Sequence, residues 1–143
     1  MQTDILLKRL QTFEFLRGLD KETLSRLAKN STWKVYAPDA VVFWEGDTES
    51  NLYYLQYGSL KVLKSSADGR EQVLRFISAG EMFNEVGVLA NRANPATAVA
   101  LEESGIWLLP RQALEELILA HPQTALQIIE NMADKIIGLV TLA

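Results

Sequence analysis

The chain has 143 residues, of which 48% are hydrophobic and 22% charged, and its formal net charge is −4. This composition is that of one globular domain and excludes a chain that is disordered throughout. The acidic balance excludes a general attraction to nucleic acid or acidic membranes, and the absence of cysteine excludes disulfides, thiolate zinc sites and cysteine-bound iron–sulfur clusters.

The N-terminal segment, residues 1–31, is predicted to form two short helices. Leu6 and Leu10 recur at helical spacing, and a turn is expected at Gly18. Asp20 can cap the second helix, because its carboxylate can accept a hydrogen bond from the first turn. The segment has no signal-peptide core, and no run in the chain approaches the roughly 20 apolar residues that span a bilayer. We therefore expect a soluble, cytoplasmic protein with no membrane partner.

Residues 32–110 change to the period of two that is typical of β-strands. Turn signals separate seven short segments rich in β-branched and aromatic residues: WKVY, VVF, LYYLQY, LKVLK, QVLRFI, TAVAL and IWLL. Asp68-Gly69 predicts a tight hairpin between the fourth and fifth segments, since that turn needs residues that tolerate positive φ. Seven or eight strands at roughly ten-residue spacing indicate a mainly β fold, an eight-stranded antiparallel jelly roll or sandwich.

Residues 111–143 return to helical patterns. RQALEELILA is predicted to form one helix, and Pro122 begins a second helix that runs to the end of the chain. Apolar residues along this second helix have the 4-3-4-3 spacing of a coiled-coil seam: Ala125, Ile129, Met132, Ile136 and Leu139. A second apolar stripe beside the seam consists of Leu126, Ala133, Ile137 and Val140.

Two apolar stripes exceed what one core-facing side of a helix needs. We therefore predict a homodimer through this helix, and we expect its interface to contain Ala125, Ile129, Met132, Ile136, Leu139 and Val140. The alternative is a single broad stripe that packs on the helix's own β domain.

Few residues are suited to catalysis or to metal binding. The single histidine, His121, lies at a helix junction, whereas a cupin-type jelly roll holds its metal with two or three histidines and a glutamate. Without cysteine, and with that one histidine, no nucleophile–base pair is assembled. We therefore predict that the chain is not an enzyme and holds no metal. Trp33, Trp44 and Trp107 fall in predicted strands and are expected in the core or lining the roll.

Three motifs carry a resemblance to a known family. Residues 38–62, PDAVVFWEGDTESNLYYLQYGSLKV, combine a turn, a GD motif and an apolar hairpin; residues 80–85 read GEMFNE; and Ala96-Thr97 end the segment that follows. With the order helices, strands, helices, these motifs resemble the cyclic-nucleotide-binding effector domain of Crp/Fnr-type transcription regulators. The resemblance covers nearly all of the chain and implies one domain over residues 1–143, with an eight-stranded roll and a long dimerisation helix.

In that family a DNA-binding helix-turn-helix domain follows the long helix. The chain stops at Ala143, where that domain would begin. We therefore expect the helix-turn-helix domain to be absent here, so that DNA would be bound only through a domain outside this chain.

The resemblance implies that residues 83–97 correspond to the phosphate-binding cassette of the family. In such a cassette a helix N-terminus faces the ligand, a glutamate accepts from the ribose hydroxyl, and an arginine and a serine bind the cyclic phosphate. By alignment the glutamate is Glu85, while Asn84 replaces the preceding glycine, Asn94 the arginine and Pro95 the serine. The implied ligand-binding residues are Phe83, Asn84, Glu85, Val86, Gly87, Arg92, Asn94, Ala96 and Thr97.

These replacements are expected to weaken phosphate binding. Asn94 carries no charge, Pro95 has neither a hydroxyl nor a backbone N–H, and Asn84 places a side chain where the backbone would approach the ligand. Charge-assisted hydrogen bonds contribute about 1.5–3 kcal/mol against about 0.5–1.5 kcal/mol for neutral ones. The combined loss corresponds to on the order of a hundred- to thousandfold in affinity. Arg92 could compensate if the loop shifted, because residues i and i+2 of an extended segment point to the same side.

We therefore predict the effector-sensing and dimerisation domain of a Crp/Fnr-like regulator, whose effector is a small molecule other than cyclic AMP. In this mechanism an effector in the roll changes how two long helices pack. Two alternatives remain: a genuine cyclic-AMP or cyclic-GMP receptor that uses Arg92 for the phosphate, and a ligand-free dimerisation scaffold. No cofactor is expected, apart from a cyclic nucleotide in the first alternative.

Overall fold

The computed structural model describes residues 2–13, 16–48 and 51–141. Within these ranges the elements are α1 (Gln2–Leu10), α2 (Lys21–Lys29), β1 (Thr32–Tyr36), β2 (Val41–Phe43), β3 (Asn51–Tyr57), β4 (Ser59–Ser65), β5 (Glu71–Ser78), β6 (Met82–Phe83), α3 (Glu85–Ala90), β7 (Thr97–Ala100), β8 (Ser104–Pro110), α4 (Arg111–Ala120) and α5 (Pro122–Thr141). They form two compact units. Residues 1–30 and 112–143 make a helical unit, and residues 31–111 make a β unit that also contains α3.

The β unit consists of two four-stranded antiparallel sheets. One sheet has the strand order β1-β8-β3-β6, and the other has the order β2-β7-β4-β5. The prediction of a mainly β, eight-stranded jelly roll with flanking helices is therefore confirmed. The seven predicted segments correspond to every strand except β6, which is only two residues long. A strand of that length is too short to show a period of two.

The predicted hairpin between β4 and β5 is present, but its turn is longer than two residues. Ser66 N–H donates to the Arg70 carbonyl at 2.8 Å, and Gly69 N–H donates to the Ser66 carbonyl at 3.0 Å. Of the three residues between, only Gly69 has a positive φ, 85°. A three-residue loop with glycine at the left-handed position therefore replaces the expected Asp68-Gly69 turn.

Stacked aromatic rings fill part of the core between the two sheets. The Tyr53 ring lies 5.0 Å from the Phe43 ring and 5.1 Å from the Phe83 ring, with interplanar angles of 30° and 16°. These residues belong to a buried cluster that also contains Leu55, Leu60, Ile77, Ala98, Ala100 and Ile106. Because the three rings come from β2, β3 and β6, the stack connects both sheets.

The three tryptophans differ in burial. Trp107 is buried and Trp33 is half-buried, and their rings lie 5.2 Å apart. Trp44 is 60% exposed, so the expectation that it would lie in the core or line the roll is wrong. The reason is that β2 ends at Phe43, which leaves Trp44 at the start of a turn rather than in a strand.

The helical unit has the boundaries that capping chemistry predicts. Thr23 N–H donates to Asp20 Oδ1 at 2.8 Å, so Asp20 is the N-cap of α2. The hydrogen bonds from Thr23 lower the pKa of the Asp20 carboxyl. Leu6 and Leu10 of α1 are fully buried, and Pro122 is the first residue of α5, where a missing backbone N–H has no cost.

Candidate functional site

Phe83 contributes its side chain to the core. It lies in β6, which pairs antiparallel with β3, so that Phe83 is opposite Tyr53 and Met82 is opposite Tyr54. The Phe83 side chain is 1% exposed and stacks on Tyr53. Phe83, one of the predicted ligand-binding residues, therefore packs in the core and anchors the start of the 83–97 segment to the sheet.

Asn84 marks the change from β6 to α3. It is the N-cap of α3 and has φ 68° and ψ 26°, in the left-handed region. The side chain makes no capping hydrogen bond to the helix. Its Nδ2 donates instead to the Asn51 carbonyl at 3.0 Å and to Asn94 Oδ1 at 3.1 Å. Asn84 thereby joins three segments that are far apart in the chain.

Gly87 lies directly against this asparagine. A Cβ atom at Gly87 would be 2.7 Å from Asn84 Oδ1, which is closer than real Cβ contacts allow. Glu85, between them, is partly buried at the first position of α3. Any side chain at position 87 would therefore have to displace the Asn84 amide.

Asn94 is buried, with 2% of its surface exposed. Its backbone N–H donates to the Asp47 carbonyl at 2.9 Å, and its carbonyl accepts from Gly46 N–H at 2.9 Å. Its side-chain Nδ2 is 3.5 Å from the Trp44 carbonyl. The residue in the predicted arginine position is thus a neutral amide that binds the turn formed by residues 44–47.

Ala96 and Thr97 are also buried, at 4% and 8% exposure. Thr97 begins β7, and its Oγ1 accepts a hydrogen bond from Glu45 N–H at 2.8 Å. The backbone of β2 and its following turn therefore makes hydrogen bonds to both ends of the 94–97 segment. In the described structure the Thr97 hydroxyl is used for this contact.

Arg92, the residue proposed as a substitute cation, lies on the surface. It follows Asn91, which has a left-handed φ of 54° and caps the C-terminus of α3. Arg92 is exposed, whereas Asn94 is buried. An extended backbone would place residues 92 and 94 on the same side of the segment. The difference in burial shows that their side chains do not share one side here.

Arg111 is a cation that the sequence analysis did not select. Its guanidinium Nη1 donates to the Val88 carbonyl, and the Leu89 carbonyl is 3.5 Å away. A positive charge at the C-terminal end of a helix is favourable, since the last carbonyls of α3 carry partial negative charge. Its position at the start of α4, directly after a strand, gives no sequence signal for such a contact.

The predicted dimer seam on α5 is largely exposed. Ile129, Ile136 and Leu139 are 61%, 61% and 71% exposed, and Val140 is 69% exposed, while Ala125 and Met132 are half-buried. The second stripe includes Leu126 and Ile137, at 60% and 59%. Of the side chains of α5 that the structure describes, only Thr124 is buried.

In the part of the chain that the structure describes, no helix is both long and apolar enough to pass through a membrane. Among the same residues, no group of three or more histidine, aspartate or glutamate side chains could hold a metal ion.

The sequence profile of the cyclic nucleotide-binding domain family matches residues 33–121. The HTH-type transcriptional regulator Cmr of Mycobacterium tuberculosis is 26% identical over 118 residues, which are 82% of this chain and 48% of that protein. The cyclic AMP receptor protein of Thermus thermophilus is 27% identical over 108 residues, which are 76% of this chain and 50% of that protein. The chain spans about half the length of these curated relatives.

A solved structure has the same fold. The sensor domain of the transcriptional regulator DNR from Pseudomonas aeruginosa superimposes with a TM-score of 0.87 at 20% identity. The superposition covers 98% of this chain and 94% of that domain. At this level of identity the match establishes the fold alone.

Proposed function

This chain belongs to the cyclic nucleotide-binding domain family, and we propose that it is the effector-sensing and dimerising domain of a Crp/Fnr-like transcription regulator. Two of its relatives are named as a transcriptional regulator and a cyclic AMP receptor, which supports the regulator class. The chain spans about half the length of these relatives, and we assign DNA recognition to a domain outside this chain. In this proposal the domain regulates and does not catalyse.

The proposed effector is a small molecule other than cyclic AMP. One observation carries this part of the proposal: Asn94, at the position of the family's arginine, is 2% exposed, and its side-chain oxygen accepts a hydrogen bond from the neutral Asn84 amide. A cyclic phosphodiester carries a negative charge, and burying that charge beside an amide leaves it without a counter-ion. The surroundings of Asn94 therefore favour an effector that does not need a guanidinium.

The effector is expected to act through the long helix. If the domain populates two arrangements of the paired α5 helices, an effector that binds one of them better shifts the population towards it. The same shift would change the spacing of the attached DNA-binding domains. The exposed apolar residues of α5 are the surface on which this pairing would occur.

A second candidate is a ligand-free dimerisation scaffold. It is favoured by the hydrogen bond between Asn84 and Asn94, which satisfies both residues without any ligand. The receptor that uses Arg92 is a weaker candidate, because this side chain is exposed while Asn94 is buried.

Isothermal titration calorimetry with cyclic AMP and cyclic GMP tests the proposal. The wild-type chain is expected to give no saturable heat at micromolar nucleotide. The double variant Asn94→Arg/Pro95→Ser restores the guanidinium and the serine donors, and it should strengthen binding on the order of a hundred- to thousandfold. Binding of cyclic nucleotide by the wild type at micromolar or tighter affinity would contradict the proposed ligand class.

Arg92→Ala is the matched control for this titration. If Arg92 supplies the phosphate contact, wild-type binding should be measurable and should disappear in Arg92→Ala. If the restored variant also fails to bind cyclic nucleotide, residues 94 and 95 alone do not account for the missing affinity. That outcome would contradict the role proposed for Asn94 and would favour the scaffold candidate.

A further inference from the structure

The two asparagines that replace the family's glycine and arginine contact each other directly. Asn84 Nδ2 donates to Asn94 Oδ1 at 3.1 Å and to the Asn51 carbonyl at 3.0 Å. Both N–H groups of the Asn84 amide are therefore used. The left-handed backbone of Asn84, with φ 68°, is one that side chains adopt at a cost, although asparagine tolerates it better than most residues. The two side-chain hydrogen bonds offset that cost.

Asn94 extends this contact to a third segment. Its backbone N–H and carbonyl form 2.9 Å hydrogen bonds with Asp47 and Gly46. A single buried residue thus joins the N-cap of α3 to the turn after β2, while Asn84 joins the same N-cap to the start of β3.

The polar groups in this cluster are satisfied by one another. Among the described residues, no buried side-chain nitrogen or oxygen lacks a hydrogen-bond partner. A buried arginine at position 94 would need a counter-charge, whereas an amide needs only a donor and an acceptor. An incoming anion could accept a hydrogen bond from the Asn84 amide only if the bond of that amide to Asn94 or to Asn51 broke.

We propose that the Asn84–Asn94 amide pair is an autoinhibitory contact that holds residues 83–97 in one conformation without a bound anion. The contact occupies donors that a ligand would otherwise use, and it fixes the segment that a ligand would otherwise order. The proposal depends on the proposed function only for the identification of residues 83–97 as the ligand cassette.

Amide hydrogen exchange followed by NMR tests the contact in Asn84→Gly. Glycine adopts the left-handed backbone freely, so the fold of the cassette is retained while the amide is removed. The backbone amides of Asn94 and Gly46, which bond across the cluster, are expected to lose protection by at least about tenfold. The amides of β4 serve as the internal reference and should keep their protection.

Asn91→Gly is the matched control, because Asn91 is also an asparagine with left-handed φ at an end of α3. It is exposed, and its substitution should leave the protection of Asn94 and Gly46 unchanged. The proposal is overturned if Asn84→Gly leaves both amides within about twofold of the wild type, or if Asn91→Gly lowers them equally.

If Asn84→Gly also lowers the protection of the β4 amides, the fold as a whole is destabilised and a second variant is needed. Asn94→Ala removes the acceptor and leaves the backbone of Asn84 untouched. The side-chain NH₂ protons of Asn84 are then expected to exchange faster than in the wild type, and unchanged exchange would reject the contact.

The two proposals fail in distinguishable ways. Micromolar binding of cyclic AMP by the wild type would contradict the proposed ligand class whatever the exchange data show. In that case, loss of protection in Asn84→Gly would support the amide pair as a structural contact, but its autoinhibitory role would be rejected. If protection is unchanged in Asn84→Gly and the wild type binds no nucleotide, the proposal for the amide pair is rejected and the proposed ligand class is not contradicted.

Discussion

Asn94 is sensitive to substitution because its side chain and its backbone are both engaged. Its amide accepts from Asn84, and its main chain bonds to Asp47 and Gly46. A residue of this kind cannot be exchanged for an apolar one of similar size without leaving its partners unsatisfied. Its role in stability can therefore be measured separately from any role in ligand binding.

Asn94→Leu is expected to lower the free energy of unfolding by about 1–3 kcal/mol, because the half-buried Asn84 amide loses an acceptor. Urea denaturation followed by tryptophan fluorescence measures the change. Arg92→Ala, two residues away and exposed, is the control and should change stability by less than about 0.5 kcal/mol. Equal effects of the two variants would contradict the buried hydrogen-bonded position of Asn94.

Asp20 gives a prediction with a defined pH dependence. Hydrogen bonds from Thr23 lower the pKa of its carboxyl from 3.8, so the folded state binds the proton less readily than the unfolded state. The charge-dependent stabilisation is therefore present at neutral pH and is lost as the pH falls through the folded pKa, below 3.8. Asp20→Ala should be less stable than the wild type at neutral pH, and the difference should shrink in acid.

Thermal unfolding at a series of pH values checks this expectation. Asp20→Asn is the matched control, since it keeps an acceptor for Thr23 N–H but does not titrate. Its stability relative to Asp20→Ala should show little pH dependence. A wild-type advantage over Asp20→Ala that grows as the pH falls below 3.8 would contradict the sign of the pKa shift.

Strand β8 depends on a glycine for its packing. A Cβ atom at Gly105 would be 2.3 Å from both the Trp33 and the Tyr57 rings. Trp33 itself contacts Tyr57, with ring centroids 6.1 Å apart, and it also contacts Trp107. The aromatic side chains of Trp33 on β1 and Tyr57 on β3 therefore cover the bare backbone of Gly105, and any side chain there must displace two rings.

Gly105→Ala is expected to destabilise the fold by about 1–3 kcal/mol, the usual cost of overpacking. Gly138→Ala is the control: nothing lies within 4 Å of its Cβ position on α5, so the better helix propensity of alanine should raise stability by up to about 1 kcal/mol. Urea denaturation compares the two, and near-UV circular dichroism reports the tryptophan environment. Similar effects of both changes would contradict the close packing at Gly105.

The elements differ in how well their sequences predicted them. Strands of seven residues such as β3 and β4 were predicted within a residue or two, because turn residues bound their apolar segments. Strand β6 was missed, because two residues carry no period. Helix α4 matches its predicted sequence, RQALEELILA, since Pro110 ends the preceding strand and helical spacing begins at once.

The assignment of residues 83–97 as a ligand cassette stays a prediction, and its contacts were not predicted. The structure shows that these residues end β6, form α3 and lead into β7. The roles of Asn51 and Arg111 were not predicted, because both contact the cassette from distant parts of the chain. Trp44 was predicted to be buried and is exposed, since the end of β2 depends on its pairing with β7.

For the molecule as a whole, the resemblance to the effector domain of Crp/Fnr-type regulators is confirmed by the family match and by the Crp-like relatives. The homodimer stays a prediction. It is consistent with the apolar side chains of α5, six of which are more than half exposed.

Ile136→Glu is expected to weaken dimerisation by at least about tenfold, since it places a charge in the centre of the proposed seam. Analytical ultracentrifugation over a range of protein concentrations measures the monomer–dimer equilibrium. Asp134→Lys is the control, because Asp134 is exposed on α5 but outside both apolar stripes. A wild-type chain that remains monomeric at high micromolar concentration would contradict the predicted interface.

Local pattern accounts for the architecture of this protein. Alternation and helical spacing are set by which residues avoid water, and turn residues and caps by backbone stereochemistry, so both can be read over a few neighbouring residues. The contacts within the site arise differently. Asn84 meets Asn94 at a separation of 10 residues and Asn51 at 33, and Glu45 meets Thr97 at 52. Such pairs exist only once the sheets have brought distant donors and acceptors within 3 Å or so, and no periodicity encodes that distance.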